Sequence, residues 1–385
     1  MIRATCAGIF LVLLPAVLLQ AQDDKPKNWL LSGYAKQLQT VFAIDGFDEY
    51  LIDNLLHNRL NFKYYPDDHW TFTAELRNRI FYGDLVKLAP NYASQIEEAN
   101  NDFMDLSWHW VAQDDWVINS TIDRIYVEYT SGKLETRIGR QRINWGISTV
   151  WNPNDLFNAF SFTDFDYEER PGSDAFRIRY YTGNTSSLEF AINAGSTWDS
   201  RVAAALFKWN TAQYDFQLLT GMANGEFVIG GGWAGNIKDS GFKGEWSYFL
   251  ADDGGENSFA ITGAVDNLFG NSLYLNVGYL YNSNGTTSGS LSELFFFELS
   301  AKNLYPFRHA LFILNSYPVT PLLNVSLAWI YSPVSSHPLF VNPTVSYSIA
   351  QNWDLDLVGQ LAFSQDGDTY SSPVKALFLR FKMSF

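Results

Sequence analysis

Residues 70–80 read WTFTAELRNRI, and apolar side chains alternate with polar ones along this stretch. Successive side chains of a β-strand point to opposite faces, so this stretch predicts a strand with one apolar face and one charged face. The apolar face, broken only by Asn78, carries Trp70, Phe72, Ala74, Leu76 and Ile80. The polar face carries Thr71, Thr73, Glu75, Arg77 and Arg79.

The same alternation recurs from about residue 29 to the C-terminus, in segments of about ten residues separated by turn residues. Short turns, such as those near Pro66 and Gly132, alternate with longer connections, of which residues 82–121 and 142–174 are the longest. Short periplasmic turns and long extracellular loops are typical of an all-β, antiparallel transmembrane β-barrel. The pattern predicts about 18 strands, with about 16 as the alternative, since the glycine-rich strand near Gly231 and residues 291–305 are ambiguous.

Composition is compatible with this fold and excludes a bundle of membrane helices. Charged residues make up 17% of the chain, the formal net charge is −15, and the mean hydropathy is −0.12. No segment after the N-terminal region approaches the roughly 18 continuous apolar residues that a spanning helix needs. A soluble all-β protein could share this composition, so only the pattern of strands and connections distinguishes it from a transmembrane β-barrel. An acidic chain without a basic stripe also argues against nucleic acid as a partner.

The N-terminus has the features of a secretory signal peptide over residues 1–21. Arg3 precedes an apolar run over residues 9–19, and Ala21 ends a tolerable cleavage site. Removal of this segment would leave residues 22–385 as a single barrel domain. Cys6, the only cysteine of the chain, lies before the apolar run, so we expect neither a lipid anchor nor a disulfide in the mature protein.

Aromatic residues lie near both predicted ends of the strands, where outer-membrane barrels carry girdles at the two membrane interfaces. Near the periplasmic turns these residues are Trp70, Trp209, Tyr214 and Trp353. Near the extracellular ends they are Phe81, Tyr82, Tyr248, Tyr281 and Tyr331.

Two further segments carry a resemblance to known proteins. Residues 376–385, ALFLRFKMSF, alternate to a final Phe385 and resemble the terminal strand that the barrel-assembly machinery reads in bacterial outer-membrane barrels. Residues 139–146, GRQRINWG, followed by WNPND at 151–155, resemble the strand end before a long loop in porin-related families. The chain thus resembles the porin-like outer-membrane β-barrels of Gram-negative bacteria. The resemblance implies location in the cell outer membrane, contact with its lipid and lipopolysaccharide, and a tendency to form homotrimers.

Charged residues on the predicted lumen face provide the main functional signal. The arginines are Arg77, Arg79, Arg124, Arg137, Arg177 and Arg179, and the carboxylates are Glu75, Glu128, Glu135 and Glu189. One interpretation is a ladder of ion pairs that braces the wall. The other is that the surplus of arginine attracts an anionic solute, as rings of like charge do in selective channels.

The connection over residues 142–174 is the candidate constriction loop. It combines flat rings with amide and carboxylate groups, in Trp145, Trp151, Asn152, Asn154 and Asp155. Such groups could hold a sugar or an aromatic solute, and the alternative is a loop that folds over the barrel mouth for packing alone. Acidic clusters in the predicted outer loops lack the spacing of a dedicated calcium loop, so no metal or cofactor is predicted.

Together these patterns predict a porin-like channel for passive diffusion of small hydrophilic solutes, with anions as the candidate preference. No enzyme is predicted, because the chain has no Gly-x-Ser-x-Gly, no paired histidines at metal-ligand spacing and no phosphate loop. The alternatives are an outer-membrane enzyme whose Ser–His pair is assembled by folding, or a plugged barrel that serves surface assembly or binding.

Overall fold

The computed structural model describes residues 27–44, 50–98, 103–159, 166, 170–195, 200–252, 254–290, 293–297 and 299–385. The expected signal peptide over residues 1–21 lies outside these ranges. Within them, no helix is long and apolar enough to cross a membrane.

These residues form nineteen strands and three short helices. In chain order they are β1 (Trp29–Ile44), β2 (Leu51–Tyr64), β3 (Trp70–Gly83), α1 (Asp84–Leu88), α2 (Tyr92–Glu98), β4 (Ser107–Ala112), β5 (Trp116–Ser131), β6 (Leu134–Gln141), β7 (Ser173–Tyr181), β8 (Ser187–Asn193), β9 (Val202–Thr211), β10 (Tyr214–Ala223), β11 (Glu226–Ile237), β12 (Ser240–Leu250), β13 (Ser258–Leu268), β14 (Tyr274–Asn282), α3 (Glu293–Phe296), β15 (His309–Thr320), β16 (Leu323–Tyr331), β17 (Leu339–Ala350), β18 (Trp353–Asp366) and β19 (Thr369–Ser384).

Eighteen of the strands close into one antiparallel barrel, because β1 pairs with both β2 and β19. The short strand β4 is not part of this ring. It pairs with residues 117–121 of β5, whereas β6 pairs with residues 125–131 of the same strand. The predicted barrel of about 18 strands is therefore confirmed. The glycine-rich segment is strand β11, and the ambiguous segment after β14 contains the short helix α3 inside a loop.

The two faces of the wall have the predicted polarity. Phe72 and Phe381 are exposed on the outside, whereas Thr73 and Arg77 are buried within the barrel. Exposed apolar side chains on the outside are what a barrel standing in hydrocarbon requires.

Stacked rings at the end of the barrel that carries the β9–β10 turn support the predicted girdle. Trp209 stacks on Phe207 and Phe216 with ring centroids 5.4 and 5.6 Å apart. Phe81 departs from the prediction, because it lies two residues after Arg79 and shares its inward face. Its ring packs edge-on against Tyr92, with a centroid separation of 5.7 Å.

A β-bulge in β5 places two consecutive polar side chains in the lumen. Glu75 pairs with Arg124 and the next residue, Leu76, pairs with Ile122, so Asp123 is the extra residue. A bulge lets adjacent side chains leave the strict alternation of a strand. Asp123 is 7% exposed and lies among lumen arginines.

An ion pair between neighbouring strands lies on the outer face of the wall, and its members are Arg140 of β6 and Asp174 of β7. The two residues lie directly opposite each other, and Arg140 also lies opposite Ile125, which is exposed on the outside. Directly opposite residues share a face of the sheet, so the pair points outward. The contact is bidentate, with Nε–Oδ1 and Nη2–Oδ2 distances of 2.9 and 2.8 Å.

A segment of the long β3–β4 connection covers this pair. The amide of Met104 donates to Asp174 Oδ2 at 2.7 Å, and Arg140 Nη2 donates to the carbonyl oxygen of Met104. Both charged side chains are consequently buried, at 3% and 4% exposure. A charge pair on a lipid-facing surface is costly unless its partners are all supplied, and here backbone groups complete the set.

We expect Arg140→Ala to lower the free energy of unfolding by about 3 kcal/mol, because Asp174 would remain buried without its partner. Replacing both residues, as Arg140→Met with Asp174→Leu, should cost much less. Urea unfolding of the barrel in lipid vesicles measures both changes. Equal losses in the single and double variants would contradict this account.

Candidate functional site

Inward-facing arginines on β2, β3, β5, β6 and β7 form a continuous group that we call the lumen arginine cluster. Its arginines are Arg59, Arg77, Arg79, Arg124, Arg137, Arg177 and Arg179. Its carboxylates are Glu75, Asp123, Glu128, Glu135 and Glu189. The structure thus brings together all the predicted lumen arginines and carboxylates, and adds Arg59 and Asp123.

Most of the carboxylates are shared between arginines of different strands. Glu75 lies 2.5 Å from Arg59 and 3.5 Å from Arg124. Asp123 contacts Arg59 and lies 3.0 Å from Arg77. These two carboxylates therefore tie β2, β3 and β5 together.

The second half of the cluster repeats this arrangement on the next strands. Glu135 contacts Arg177 and lies 3.4 Å from Arg137 and 3.8 Å from Arg179. Arg179 also lies 2.5 Å from Glu189 of β8. The predicted ladder of ion pairs is therefore present, and seven arginines against five carboxylates leave a formal surplus of two positive charges within the cluster.

The described residues of the connection between β6 and β7 (142–159, 166 and 170–172), which we call the lumen loop, lie inside the barrel. Its anchor is Glu245, a fully buried, inward-facing carboxylate on β12. Glu245 accepts hydrogen bonds from the backbone amides of Ile147 (2.7 Å), Ser148 (2.5 Å) and Asn154 (3.0 Å). The Asn152 side-chain amide adds a fourth hydrogen bond at 2.9 Å. One carboxylate thus satisfies four donors of an irregular segment that has no sheet partner.

Glycines on β11 let the lumen loop lie directly against the wall. A Cβ atom at Gly230 would come within 2.7 Å of the Asn154 side-chain oxygen, and one at Gly232 within 2.8 Å of the Ile147 side chain. Any larger residue would push the loop away. The glycine-rich strand therefore provides the space in which the loop docks.

The predicted constriction residues are all buried by this docking. The Trp145 indole donates to Glu189 at 2.7 Å, and the Asn154 side chain donates to the Gly231 carbonyl at 2.9 Å. Trp151 packs edge-on against Tyr305. Asn152 and Asp155 are also buried, so these five side chains hold the loop in place and present little surface to a solute.

The lumen loop also reaches the opposite part of the wall. Asp166 lies 2.9 Å from Lys36 of β1 and 3.5 Å from Arg380 of β19. The described residues of the loop thus contact β12 on one side of the barrel and β1 and β19 on the other.

Asp155 is the most unusual titratable group of the lumen loop. It is 1% exposed, and the nearest cation within salt-bridge range is Arg170, with its Nη1 atom 3.9 Å from the carboxylate. Burial raises the pKa of Asp155 to about 7, against the opposing effect of Arg142 and Arg170. The carboxyl group therefore keeps its proton to a higher pH than an exposed aspartate does.

Apolar side chains fill part of the interior next to the lumen loop. One cluster joins Val150 and Trp151 of the loop to Phe307, Phe312 and Ile330. A second cluster forms around Ile143 and Trp145. The loop thus packs as a second hydrophobic layer against the inner face of β7–β16.

Among the described residues, no three histidine, cysteine, aspartate or glutamate side chains lie close enough to hold a metal ion.

Several residues that shape the site were missed by sequence reasoning. Asp123 had a signal, because Ile122 and Ile125 are both apolar at a spacing of three and mark the bulge. Glu245 alternates with outward-facing aromatic residues and could have been assigned to the lumen. Its pairing with the lumen loop, and that of Lys36 with Asp166, joins residues far apart in the chain and left no local signal.

No protein-family model matches the chain, and no curated protein matches it in sequence. Solved structures match over nearly the whole chain. OccAB4 of Acinetobacter baumannii has a TM-score of 0.60 at 11% identity, covering 94% of this chain and 100% of that one. OccK5 (OpdH) of Pseudomonas aeruginosa has a TM-score of 0.61 at 8% identity, covering 93% and 98%. OpdQ of the same organism has a TM-score of 0.57 at 9% identity, covering 94% and 99%.

Identities this low show the fold alone: the chain is a closed antiparallel barrel of 18 strands, like these structures. A closed sheet with an apolar exterior is a form in which β-structure can span a lipid bilayer.

We expect Glu245→Ala to release the lumen loop, because four buried donors would lose their acceptor at about 1–3 kcal/mol each at most. Cleavage by trypsin after Arg142 or Arg170 should become at least tenfold faster. The cleavage rate of Glu245→Gln should lie between those of the wild type and Glu245→Ala, because glutamine keeps one acceptor oxygen. Unchanged cleavage in Glu245→Ala would show that the loop is held by other contacts.

Stability should depend on pH through Asp155. Its pKa is raised on folding, so its contribution is fully present below the ordinary aspartate pKa near 3.8 and is lost as pH rises towards about 7. Thermal unfolding midpoints should therefore fall between pH 4 and pH 7, and Asp155→Asn should flatten this dependence. A slope that is identical in the variant would exclude Asp155 as its source.

Proposed function

We propose that this barrel is a channel for passive diffusion of small hydrophilic solutes, with a preference for anions. The similar solved structures are porins, which favours a channel over an enzyme. The same comparisons leave the solute open, so the preference is argued from the charges of the lumen.

The observation that carries this proposal is the surplus of arginine in the lumen arginine cluster. The whole chain has a formal net charge of −15, yet the cluster holds seven arginines and five carboxylates. Walls of low dielectric constant focus the field of like charges into an aqueous passage. Anions would therefore be concentrated beside the cluster, as at charged rings in other channels.

The narrow passage would lie between the lumen loop and this cluster. Arg124 of the cluster donates to the carbonyl oxygen of Arg170 in the loop at 3.0 Å, so loop and cluster are in direct contact at one point. Arg142 and Arg170 bring further positive charge to the same region, next to the buried Asp155. A solute crossing here would meet guanidinium groups from both the wall and the loop.

A plugged barrel that serves binding or surface assembly is the second candidate. The two apolar clusters around the lumen loop favour it, because they fill interior space with packed side chains. A plug predicts no steady conductance, whereas a channel with a narrowed lumen predicts a small and stable one.

We also propose that residues 1–21 are removed on export and that the barrel-assembly machinery reads the C-terminal strand. Phe385 closes the barrel seam through reciprocal backbone hydrogen bonds with Gly33, both 2.9 Å long. Its ring is 41% exposed, and a receptor could reach it before closure.

Planar-bilayer recordings under a KCl gradient test the channel and its selectivity. We expect a reversal potential that indicates chloride preference in the wild type. Arg77→Gln and Arg137→Gln should each reduce the chloride-to-potassium permeability ratio at least twofold, since each removes one positive charge from the cluster. Lys238→Ala, at an exposed turn between β11 and β12, should leave the ratio unchanged.

Two outcomes would refute these proposals separately. Absence of conductance from a correctly folded barrel would refute the channel and favour the plug. Conductance with a cation preference that neither arginine variant alters would refute the anion preference alone.

A further inference from the structure

The seam of the barrel, where β1 pairs with β19, brings two ammonium groups together on the lumen face. Lys36 lies directly opposite Lys382, and like charges at directly opposite positions destabilise a strand pair. Both ammonium groups lie beside the Tyr34 ring, 5.4 and 4.7 Å from its centroid. Away from the seam, Lys382 faces Asp354 of β18, whereas Lys36 faces His57 of β2. Lys36 therefore has no carboxylate directly opposite it in either neighbouring strand.

The carboxylate that pairs with Lys36 comes from the lumen loop. The Lys36 ammonium group donates to Asp166 Oδ1 at 2.9 Å and to the Asp166 carbonyl oxygen at 3.0 Å. The Lys36 side chain is buried, so this ion pair is largely protected from water. Within the described part of the chain, Asp166 is the only carboxylate within salt-bridge range of Lys36.

The same carboxylate also reaches the other strand of the seam. Arg380 of β19 lies 3.5 Å from Asp166 Oδ1 through its Nη1 atom. Arg380 Nε donates to Asp356 Oδ2 of β18 at 3.0 Å, and the Ser346 hydroxyl of β17 donates to Asp356 Oδ1 at 2.6 Å. One oxygen atom of the loop thus contacts a cation on each strand of the seam, and the contacts continue into β18 and β17.

The lumen arginine cluster is neutralised in a different way. Arg59 and Arg77 contact Asp123, and Arg177 contacts Glu135, so these cations take their carboxylates from strands of the wall itself. Such ion pairs form with the sheet, whatever the position of the lumen loop. The ion pair at the seam forms only when the loop is docked, and a buried ammonium group left without its partner is strongly destabilising.

We propose that the lumen loop holds the seam of the barrel closed, with Asp166 as the positioning residue that bridges β1 and β19. Docking of the loop and closure of the seam then stabilise each other, because the ion pair needs both. β1 and β19 are the one neighbouring pair in the ring whose strands lie at opposite ends of the chain, so no connecting turn holds them together. This role does not depend on transport, since a plugged barrel requires the same closure.

Hydrogen exchange followed by mass spectrometry, on the full barrel in lipid vesicles, tests this proposal. Asp166→Asn keeps the size of the side chain and removes its charge. We expect amide exchange in β1 and β19 to become roughly tenfold faster, with exchange in β13 and β14 unchanged, because local opening of the seam becomes easier. The matched control, Asp266→Asn, removes a carboxylate 3.5 Å from Lys243 on another part of the lumen face and should leave the seam unchanged.

A charge-balanced double variant separates the loss of the ion pair from general damage to the barrel. Lys36→Met, added to Asp166→Asn, removes the ammonium group that would otherwise be buried without a partner. Exchange in β1 and β19 should return to within about twofold of the wild-type rate. If Asp166→Asn alone does not fold, a folded double variant with a protected seam supports the proposal.

Four results would overturn the proposal. Wild-type exchange in β1 and β19 of folded Asp166→Asn would do so, as would an increase of equal size in β13 and β14. Failure of Lys36→Met to restore protection, or failure of both variants to fold, would each show that the pairing of Lys36 is not what holds the seam. Conductance is a separate readout, so failure of the channel proposal would be recognised independently.

Discussion

Hydrocarbon offers no hydrogen bonds to a polypeptide backbone, and this constraint shapes the whole molecule. A sheet in that environment must close, so β1 pairs with β19 and the C-terminal Phe385 completes the seam against Gly33. Closure then fixes which side of each strand meets lipid. Every later feature, from the charged lumen to the docked loop, depends on that division into an apolar outside and a polar inside.

Inside the barrel, buried carboxylates connect strands to one another and to the lumen loop. Glu75, Asp123 and Glu135 each join guanidinium groups of neighbouring strands, whereas Glu245 joins the wall to the lumen loop through backbone amides. Charge-assisted hydrogen bonds are stronger than neutral ones and keep their value in an environment that excludes water. The same chemistry therefore braces the wall and holds the lumen loop against it.

The outer face of the wall carries charged groups that the chain itself satisfies. The Arg140–Asp174 pair is covered by the segment around Met104, so both charges have their partners within one chain.

The sequence by itself determined the barrel, a strand number of about 18 and the side of the wall on which most strand residues lie, with Phe81 as an exception. These follow from local alternation, which needs only the period of a strand and the polarity of each side chain. Six of the seven arginines of the lumen arginine cluster were identified from the sequence for this reason, and so was the outward position of Phe72. Even the bulge at Asp123 left a trace in the spacing of Ile122 and Ile125.

Only the tertiary structure decided how the lumen loop is held. Glu245 and Asn154 are separated by 91 residues, and no periodicity links them. The burial of Trp145 and Trp151, and the contact of Asp166 with Lys36, likewise depend on which strands the closed barrel brings face to face across the lumen. Strand alternation is a local property of the chain, whereas the packing of an irregular loop against distant strands depends on the whole closed sheet.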